Sequence, residues 1–289
     1  MTGFFAELGK KVAERWLSLL LLPGFLLVAA WVAGVRLGHG NALGALDLAA
    51  WLTGTAAAAQ LALAAAGVLA VSAGLGLAAA AGGVAIMRLW TARGVRAPLV
   101  WLTRRRERRW KHAQAEIIGA IEEERLAGLA DLVNARNAIC LVPSARPMWI
   151  GDRLRAVDQR VLRSYDLDLA GVWPRLWLVL PGEARTEIGV AYESLAAAAR
   201  LMAWGLLYLP VAVFWWPAAI VALVTCVTAW VRARAAAETF GSLLESAIDL
   251  YALDLAAHLK LDAEGPLSRE TGLAVTRLVR KDFIELTDP

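Results

Sequence analysis

Long runs without a charged residue dominate the hydrophobic pattern of this chain. Three of them stand out: Leu17–Val35, Leu48–Met87 and Leu201–Val231. An uncharged apolar run of about 18 residues or more is long enough to cross the hydrocarbon core of a bilayer as a helix. The pattern therefore predicts an all-α, polytopic membrane protein, and it excludes a soluble globular enzyme.

The middle run, at 40 residues, is too long for one straight span. A helix of that length would measure about 60 Å, roughly twice the hydrocarbon thickness. Directly after it, residues 88–111 carry nine arginines and lysines against the single acid Glu107, which is typical of the cytoplasmic side. The N-terminus is also basic, so an even number of crossings should separate the two regions. We expect one span at about Leu61–Met87 and an interfacial or re-entrant helix at about 45–59, although two spans would fit by length.

The last run contains Trp215-Trp216 next to Pro217. Because tryptophan prefers the membrane interface, a hairpin that turns there is favoured over one long span. The prediction is about four transmembrane helices with both termini in the cytoplasm. The predicted segments are an N-terminal interfacial helix (1–16), two spans with the segment between them (17–90), a cytoplasmic domain (91–195), a transmembrane hairpin (196–232) and C-terminal cytoplasmic helices (233–289).

Composition agrees with this architecture. Of the 289 residues, 59% are hydrophobic and 19% charged, whereas a soluble domain is about 45–50% apolar and about 25% charged. The abundance of alanine and arginine is typical of a bacterial protein from a high-GC genome, so we expect the bacterial inner membrane. Cys140 and Cys226 lie far apart and indicate neither a disulfide framework nor a zinc-binding pair.

Apolar positions in the cytoplasmic regions recur mainly at helical spacing. We expect helices at about 104–136, 152–165, 233–260 and 268–282, the last capped by Ser268. Ala138–Val142 is a short apolar run that is typical of a strand or of an extended buried segment. Residues 173–181 are bracketed by prolines and too short to span, so they should pack on the domain or lie at the interface. Sheet content should be negligible.

A dense basic cluster lies shortly after the second predicted span. Its members are Arg104, Arg105, Arg106, Arg108, Arg109 and Lys111. Near an anionic membrane surface each such charge contributes about 1 kcal/mol, and a cluster in this place also fixes topology. We therefore predict contacts with anionic lipid headgroups here, in preference to nucleic-acid binding.

Small residues recur at every fourth position along the middle apolar run, and they include Gly74, Ala78 and Gly82. This spacing lets helix backbones approach closely in lipid. Close helix packing is therefore predicted at these three residues, either within the chain or between the subunits of a homo-oligomer.

Residues that could carry catalysis or bind a metal are few. Asp166 and Asp168 form a D-x-D pair of the kind that holds a metal-bound nucleotide sugar in some glycosyltransferases, but no nucleotide-binding αβ pattern surrounds it. Asp254 and His258 share a helix face and could ligate a metal, yet no third ligand lies nearby in sequence. The charge-free runs lack the ionisable groups that ion-coupled transporters use. We expect no enzyme activity, no cofactor and no metal.

Three stretches of the predicted cytoplasmic domain carry recognisable motifs: Pro147–Ala156, Tyr165 with Asp168, and Val172–Leu176. They resemble the motifs P-T-x-x-G-N-x-L-R, R-Y-x-x-D and W-P-R-L of a family of uncharacterised bacterial multi-pass membrane proteins. Asp152 stands where the family pattern has asparagine, and Ser164 where it has arginine. The resemblance covers about residues 136–261 and implies a multi-pass membrane architecture, but it implies no reaction.

The leading functional hypothesis is a non-enzymatic membrane protein whose helical cytoplasmic domain mediates assembly or docks a cytoplasmic protein partner. The candidate docking residues are Trp149, Trp173, Arg175 and Trp177. The alternative is an oligomeric ion channel or membrane-perturbing pore, lined by the Ala/Gly face of the second span and gated by the cytoplasmic domain.

Overall fold

Helices are the only regular secondary structure in the described part of the chain, which contains no strand. A computed structural model describes residues 21–44, 46, 58–95, 97–125, 127–262 and 265–281. The helices in chain order are α1 (Leu22–Leu37), α2 (Ala58–Trp90), α3 (Leu99–Glu122), α4 (Leu129–Ile139), α5 (Trp149–Tyr165), α6 (Leu169–Val179), α7 (Gly182–Leu207), α8 (Leu209–Ala212), α9 (Pro217–His258) and α10 (Arg269–Arg280). The all-α prediction is confirmed. The predicted helix at 1–16 and nearly all of 45–59 lie outside the described residues.

Three helical stretches are long and apolar enough to cross a membrane. They are Leu63–Trp90, Gly182–Ala212 and Pro217–His258. The first overlaps the predicted span at Leu61–Met87, and the other two flank a turn at residues 213–216, where the adjacent tryptophans predict one. The prediction of a membrane protein is confirmed at this level. The apolar helix α1 has 16 described residues, which rise about 24 Å.

The chain divides into two compact units, which we call the apolar unit and the polar unit. The apolar unit comprises the described residues of 1–87 and 196–232, and the polar unit those of 88–195 and 233–289. Each unit has its own internal packing. Close contact between helix backbones holds the apolar unit together, whereas an apolar core and buried ion pairs hold the polar unit together.

Close contact between helix backbones holds the apolar unit together. A Cβ atom on Gly24 of α1 would collide with the backbone carbonyl of Ser72 on α2. One on Gly205 of α7 would lie 2.6 Å from the sulfur of Cys226 on α9. Without a hydrophobic driving force between helices in lipid, such close approach provides the dispersion contacts that hold helices together.

Hydrogen bonds join two turns of the apolar unit. The indole Nε1 of Trp215 donates to the carbonyl of Ala42 at 2.8 Å, and Nε2 of His39 lies 3.0 Å from the carbonyl of Val213. These bonds satisfy backbone carbonyls at the turn that follows α1 and at the turn before α9. They fix the two turns side by side.

An apolar core between α5, α6, α9 and α10 organises the polar unit. Val157, Leu176, Ile248 and Val275, one from each of these helices, are at most 1% exposed. The predicted cap of the last helix is confirmed, because Ser268 Oγ accepts a bond from the Thr271 amide at 3.2 Å. Apolar residues that recur at helical spacing in the sequence are therefore buried in this core.

The helical pattern predicted over 104–136 is interrupted in the structure. It forms α3 and α4, separated by a connection in which Glu124 (φ 55°) and Gly128 (φ 81°) adopt left-handed backbone conformations. Such residues end one helix and let the chain reverse. The apolar run Ala138–Val142 forms no strand. Residues 138 and 139 end α4, whereas Cys140 is extended and buried and Val142 is buried in the same small separate cluster. The end of the run is therefore an extended buried segment, which is the other predicted alternative.

The contact between α1 and α2 predicts opposite effects for two glycine substitutions. Gly24→Ala should lower the free energy of unfolding by about 1–3 kcal/mol, because the methyl group overpacks the interface. Gly67→Ala should raise it slightly, by up to about 1 kcal/mol, because Gly67 lies in open space within α2 and alanine is the better helix former. Unfolding in mixed detergent micelles measures both. Equal effects of the two substitutions would contradict the close α1–α2 contact.

Candidate functional site

A buried carboxylate organises one end of the polar unit. Asp152, in the first turn of α5, is fully buried. Its oxygens accept bonds from Arg106 Nε at 3.2 Å and Nη2 at 3.1 Å, and from the amides of Ala145 and Arg146, each at 2.9 Å. The hydroxyl of Ser144 also donates to it. A carboxylate with five donors is well compensated for its loss of water, so Asp152 ties α3 and the 144–146 loop to α5.

The next residue, Arg153, forms ion pairs in which the buried group is the cation. Arg153 is 4% exposed, and its guanidinium donates to Glu238 at 2.9 Å and to Glu245 at 3.4 Å on α9. Gly241 provides the space, since a Cβ there would lie 2.9 Å from Arg153 Nη1. Asp152 and Arg153 therefore attach α5 to α3 on one side and to α9 on the other.

The predicted basic cluster is divided between two faces of α3. Arg106 points inward: besides Asp152 it donates to the carbonyl of Ile139 at 2.9 Å. Its neighbours one turn or more along, Trp110 and Ile117, are half-buried and buried. Arg106 is thus a structural residue of the unit, because its guanidinium binds Asp152 and the carbonyl of Ile139. A headgroup contact of Arg106 stays a prediction.

The remaining cluster residues lie on the exposed side of α3. Arg104, Arg105, Arg108, Arg109 and Lys111 are all exposed, and so is Trp101. Trp101, Arg104, Arg105 and Arg108 recur at i, i+3, i+4 and i+7, which places them on one face. Arg105 lies over the indole of Trp101 at 5.7 Å. In the described part of the chain no carboxylate pairs with Arg104, Arg105, Arg108 or Arg109, whereas Lys111 pairs with Glu107 at 2.7 Å. We call Trp101, Arg104, Arg105, Arg108 and Arg109 the arginine face.

A cavity of about 480 Å³, broadly open to solvent, lies between α5, α6 and α9. Its polar lining includes Arg146, Arg155 and Asp158, and its apolar lining includes Trp173 and Phe240. Small-molecule sites generally have this size and this mixture of apolar walls with a few polar groups. The sequence analysis did not identify this cavity.

The polar end of the cavity carries excess positive charge. Burial, followed by the positive charges of Arg93 and Arg155, lowers the pKa of Arg146. The Nε atom of Arg155 is buried and has no hydrogen-bond partner among the described residues. Burial, and then the negative charge of Asp168, raises the pKa of Asp158. Arg155 also donates to the carbonyl of Pro143, and its Nη2 lies 3.5 Å from Oδ1 of the buried Asp152. Because Asp152 is shared with Arg106 and the ionised form of Asp158 is disfavoured, the positive charge at this end is only partly balanced.

The predicted docking residues are partly used by the fold itself. Trp173 and Trp177 lie half-buried against the apolar core, with ring centroids 5.7 Å apart. Arg175 donates to the carbonyl of Gly171 at 3.1 Å. Trp149 donates to the carbonyl of Ala138 at 3.2 Å and lies beneath the guanidinium of Arg234 at 4.6 Å. Partner docking by these residues stays a prediction.

The predicted small-residue stripe on α2 is split as well. A Cβ on Gly82 would lie 3.0 Å from the Cβ of Ala203 on α7, which is a packing contact within the chain. Gly74 has no such neighbour within 4 Å, and Ala78 is exposed. Packing between subunits at Gly74 and Ala78 stays a prediction.

The D-x-D pair holds α10 in place. Asp168 accepts a bond from Arg280 Nε at 2.7 Å, and its amide donates to Thr276 Oγ1 at 3.0 Å. Asp166, at φ 50°, ends α5 in a left-handed conformation. Both residues thus take part in the connection between α5, α6 and α10.

The other candidate metal ligands are not gathered into a site. Nδ1 of His258 lies 2.7 Å from the backbone carbonyl of Asp254 and not from its carboxylate. In residues 21–44, 58–95 and the later described segments, no group of three histidine, cysteine or acidic side chains is placed to hold a metal.

Comparison of the chain with protein-family models, with curated proteins and with solved structures finds no match. The resemblance to the multi-pass membrane family therefore stays a prediction, carried by the motif residues alone.

The sequence contains one signal for the buried ion pairs. Asp152 and Arg153 each stand four residues before a buried apolar residue, Ala156 and Val157. Charged residues on the buried stripe of an amphipathic helix need partners, because an unpaired buried charge is costly. Which partners they find depends on Arg106 and Glu238, which are remote in sequence.

Removing the buried carboxylate should destabilise the polar unit strongly. We expect Asp152→Ala to cost about 3–5 kcal/mol, because it leaves the Arg106 guanidinium and two backbone amides without their acceptor. The matched control is Asp131→Ala, an exposed acid in the first turn of α4, whose loss should cost far less. Unfolding by detergent titration measures both, and a loss below about 1 kcal/mol for Asp152→Ala would contradict the assigned role.

Proposed function

We propose that the chain is a non-enzymatic, multi-pass protein of the bacterial inner membrane whose polar unit is a docking module on the cytoplasmic face. The arginine face of α3 is the observation that carries the proposal. It contacts anionic lipid headgroups, and the unit mediates assembly or binds a cytoplasmic protein from that position. The multi-pass architecture agrees with the family resemblance of the motif residues.

Charge complementarity supports a lipid surface as the occupant of the arginine face. Four arginines without carboxylate partners in the described chain share the exposed side of one helix with Trp101. Tryptophan and arginine together are typical of helices at a membrane interface. Only eight residues, 91–98, separate α3 from the end of α2, so α3 is the first helix in the sequence after a proposed membrane-spanning helix.

Four crossings, with α1 as the first, are part of the proposal. The charge-free run Leu17–Val35 has 19 residues, which as a helix would rise about 28 Å and match the hydrocarbon thickness of about 30 Å. A fourth span also places the basic N-terminus on the same side as the arginines that follow α2, as the positive-inside rule favours.

Thiol labelling in spheroplasts tests this topology. With four spans, a cysteine at Gly40 should react with a membrane-impermeant reagent, whereas cysteines at Thr2 and Asp262 should react only after permeabilisation. Labelling of the Thr2→Cys variant in intact spheroplasts would show that α1 does not cross, and it would contradict the four-span arrangement.

Removing charge from the arginine face should release α3 from anionic lipid. A spin label on His112→Cys, in a background of Cys140→Ala and Cys226→Ala, reports depth in the lipid through its relative accessibility to oxygen and to a nickel chelate. In phosphatidylglycerol-containing vesicles the label should be accessible to oxygen and shielded by lipid from the nickel chelate. Arg105→Gln with Arg108→Gln should shift the docked-to-undocked ratio by about 30-fold, from about 1 kcal/mol per charge.

The control for that experiment removes the same charge elsewhere in the polar unit. Arg163→Gln with Arg185→Gln changes two exposed arginines outside α3 and should leave the label shielded. If the label is equally exposed in neutral and anionic vesicles, or if both double variants release it alike, the arginine face is not the docking surface.

A further inference from the structure

The cavity between α5, α6 and α9 has a positively charged end. Arg146 and Arg155 both line it, and the positive charges of Arg93 and Arg155 act on the Arg146 guanidinium there. Because a nearby opposite charge favours the charged form of each arginine, an anion bound at this end of the cavity would be stabilised. Two guanidinium groups on one side favour a carboxylate or a phosphate, whose oxygens accept several bonds at once.

The other walls of the cavity are apolar. Leu154, Leu169, Trp173, Pro174, Phe240 and Leu244 line them. A free inorganic anion would leave these surfaces in contact with water, whereas an apolar chain attached to the anion would cover them. The gain is about 25 cal/mol for each Å² of apolar surface removed from water, so both ends of the cavity contribute to binding only if the ligand is amphiphilic.

Asp158 limits the charge that the ligand can carry. It lines the same cavity, and its pKa is already raised by burial and by Asp168. A second anionic group on the ligand would lie against this carboxyl and would be repelled. The site is therefore suited to one anionic head.

From these contacts we propose that the polar unit holds a binding site for an amphiphile with one anionic head, carboxylate or phosphate, and one apolar chain. The head lies between Arg146 and Arg155, and the chain lies along Trp173, Phe240 and Leu244. A free fatty acid and a single-chain phospholipid share this chemistry. The site is separate from the arginine face of α3, so either proposal can fail without the other.

Titration calorimetry on the full-length protein in neutral phosphatidylcholine nanodiscs tests the site, with empty nanodiscs as the reference. Octyl phosphate and octanoate carry both features of the ligand, whereas inorganic phosphate and octanol carry one feature each. We expect saturable binding of at least one of the first pair and much weaker binding of the second pair. Preference within the first pair distinguishes a phosphate head from a carboxylate head. Equal affinity for octyl phosphate and inorganic phosphate would overturn the proposal.

Two charge variants should change the affinity in opposite directions. Arg146→Gln should weaken binding at least about tenfold, because a charge-assisted hydrogen bond is lost. Asp158→Asn should strengthen it, because the repulsion between the carboxyl and the anionic head is removed. Arg163→Gln, an exposed arginine on the same helix as Arg155 but outside the cavity lining, should bind like the wild type.

A further variant keeps the test decisive if Arg146→Gln does not fold. Ala170→Leu leaves every charge in place but fills the cavity, which Ala170 lines with an exposed side chain. It should abolish saturable binding. Unchanged binding in Ala170→Leu would show that the probe occupies lipid or another surface, and the proposed site would be wrong.

Discussion

The polar unit depends on the neutralisation of Asp152. A carboxylate without solvent contact is costly to bury, and this one is tolerated because Arg106, Ser144 and two loop amides surround it. These donors come from α3 and from the loop before α5, so the same bonds that stabilise the charge also determine how α3 and the loop are attached. Arg146, whose amide is one of the donors, is thereby positioned at the cavity.

The adjacent Arg153 attaches α5 to α9 in the same way, through the ion pairs of a buried side chain. Its pairing with Glu238 and Glu245 fixes the register of α5 along α9, and Gly241 supplies the space for the guanidinium. The apolar core between α5, α6, α9 and α10 then provides the area-dependent stabilisation, while the ion pairs of Asp152 and Arg153 determine which arrangement of the helices is adopted. The cavity lies where α5, α6 and α9 meet, at Leu154, Trp173 and Phe240.

Arginine has three physical roles in this unit. Arg106 pairs with the buried carboxylate of Asp152, and the buried Arg153 pairs with Glu238, so both act as structural residues. Arg146 and Arg155 line a cavity in which their charge is only partly balanced. The arginines on the exposed face of α3 lack carboxylate partners within the described residues and suit a negatively charged surface. A count of basic residues cannot separate these roles, because they differ in burial and in partners.

The sequence by itself determined the helical class, the apolar helices long enough to span a membrane, the turn near Trp215 and the Ser268 cap, because each depends on local periodicity, on length or on neighbouring residues. It did not determine the break between α3 and α4, since that depends on two left-handed residues that helical periodicity does not register. Nor could it assign Arg106 to the interior or reveal the cavity. The first follows from the contact between residues 106 and 152, and the second from lining residues as distant as 158 and 240, which only the tertiary structure brings together.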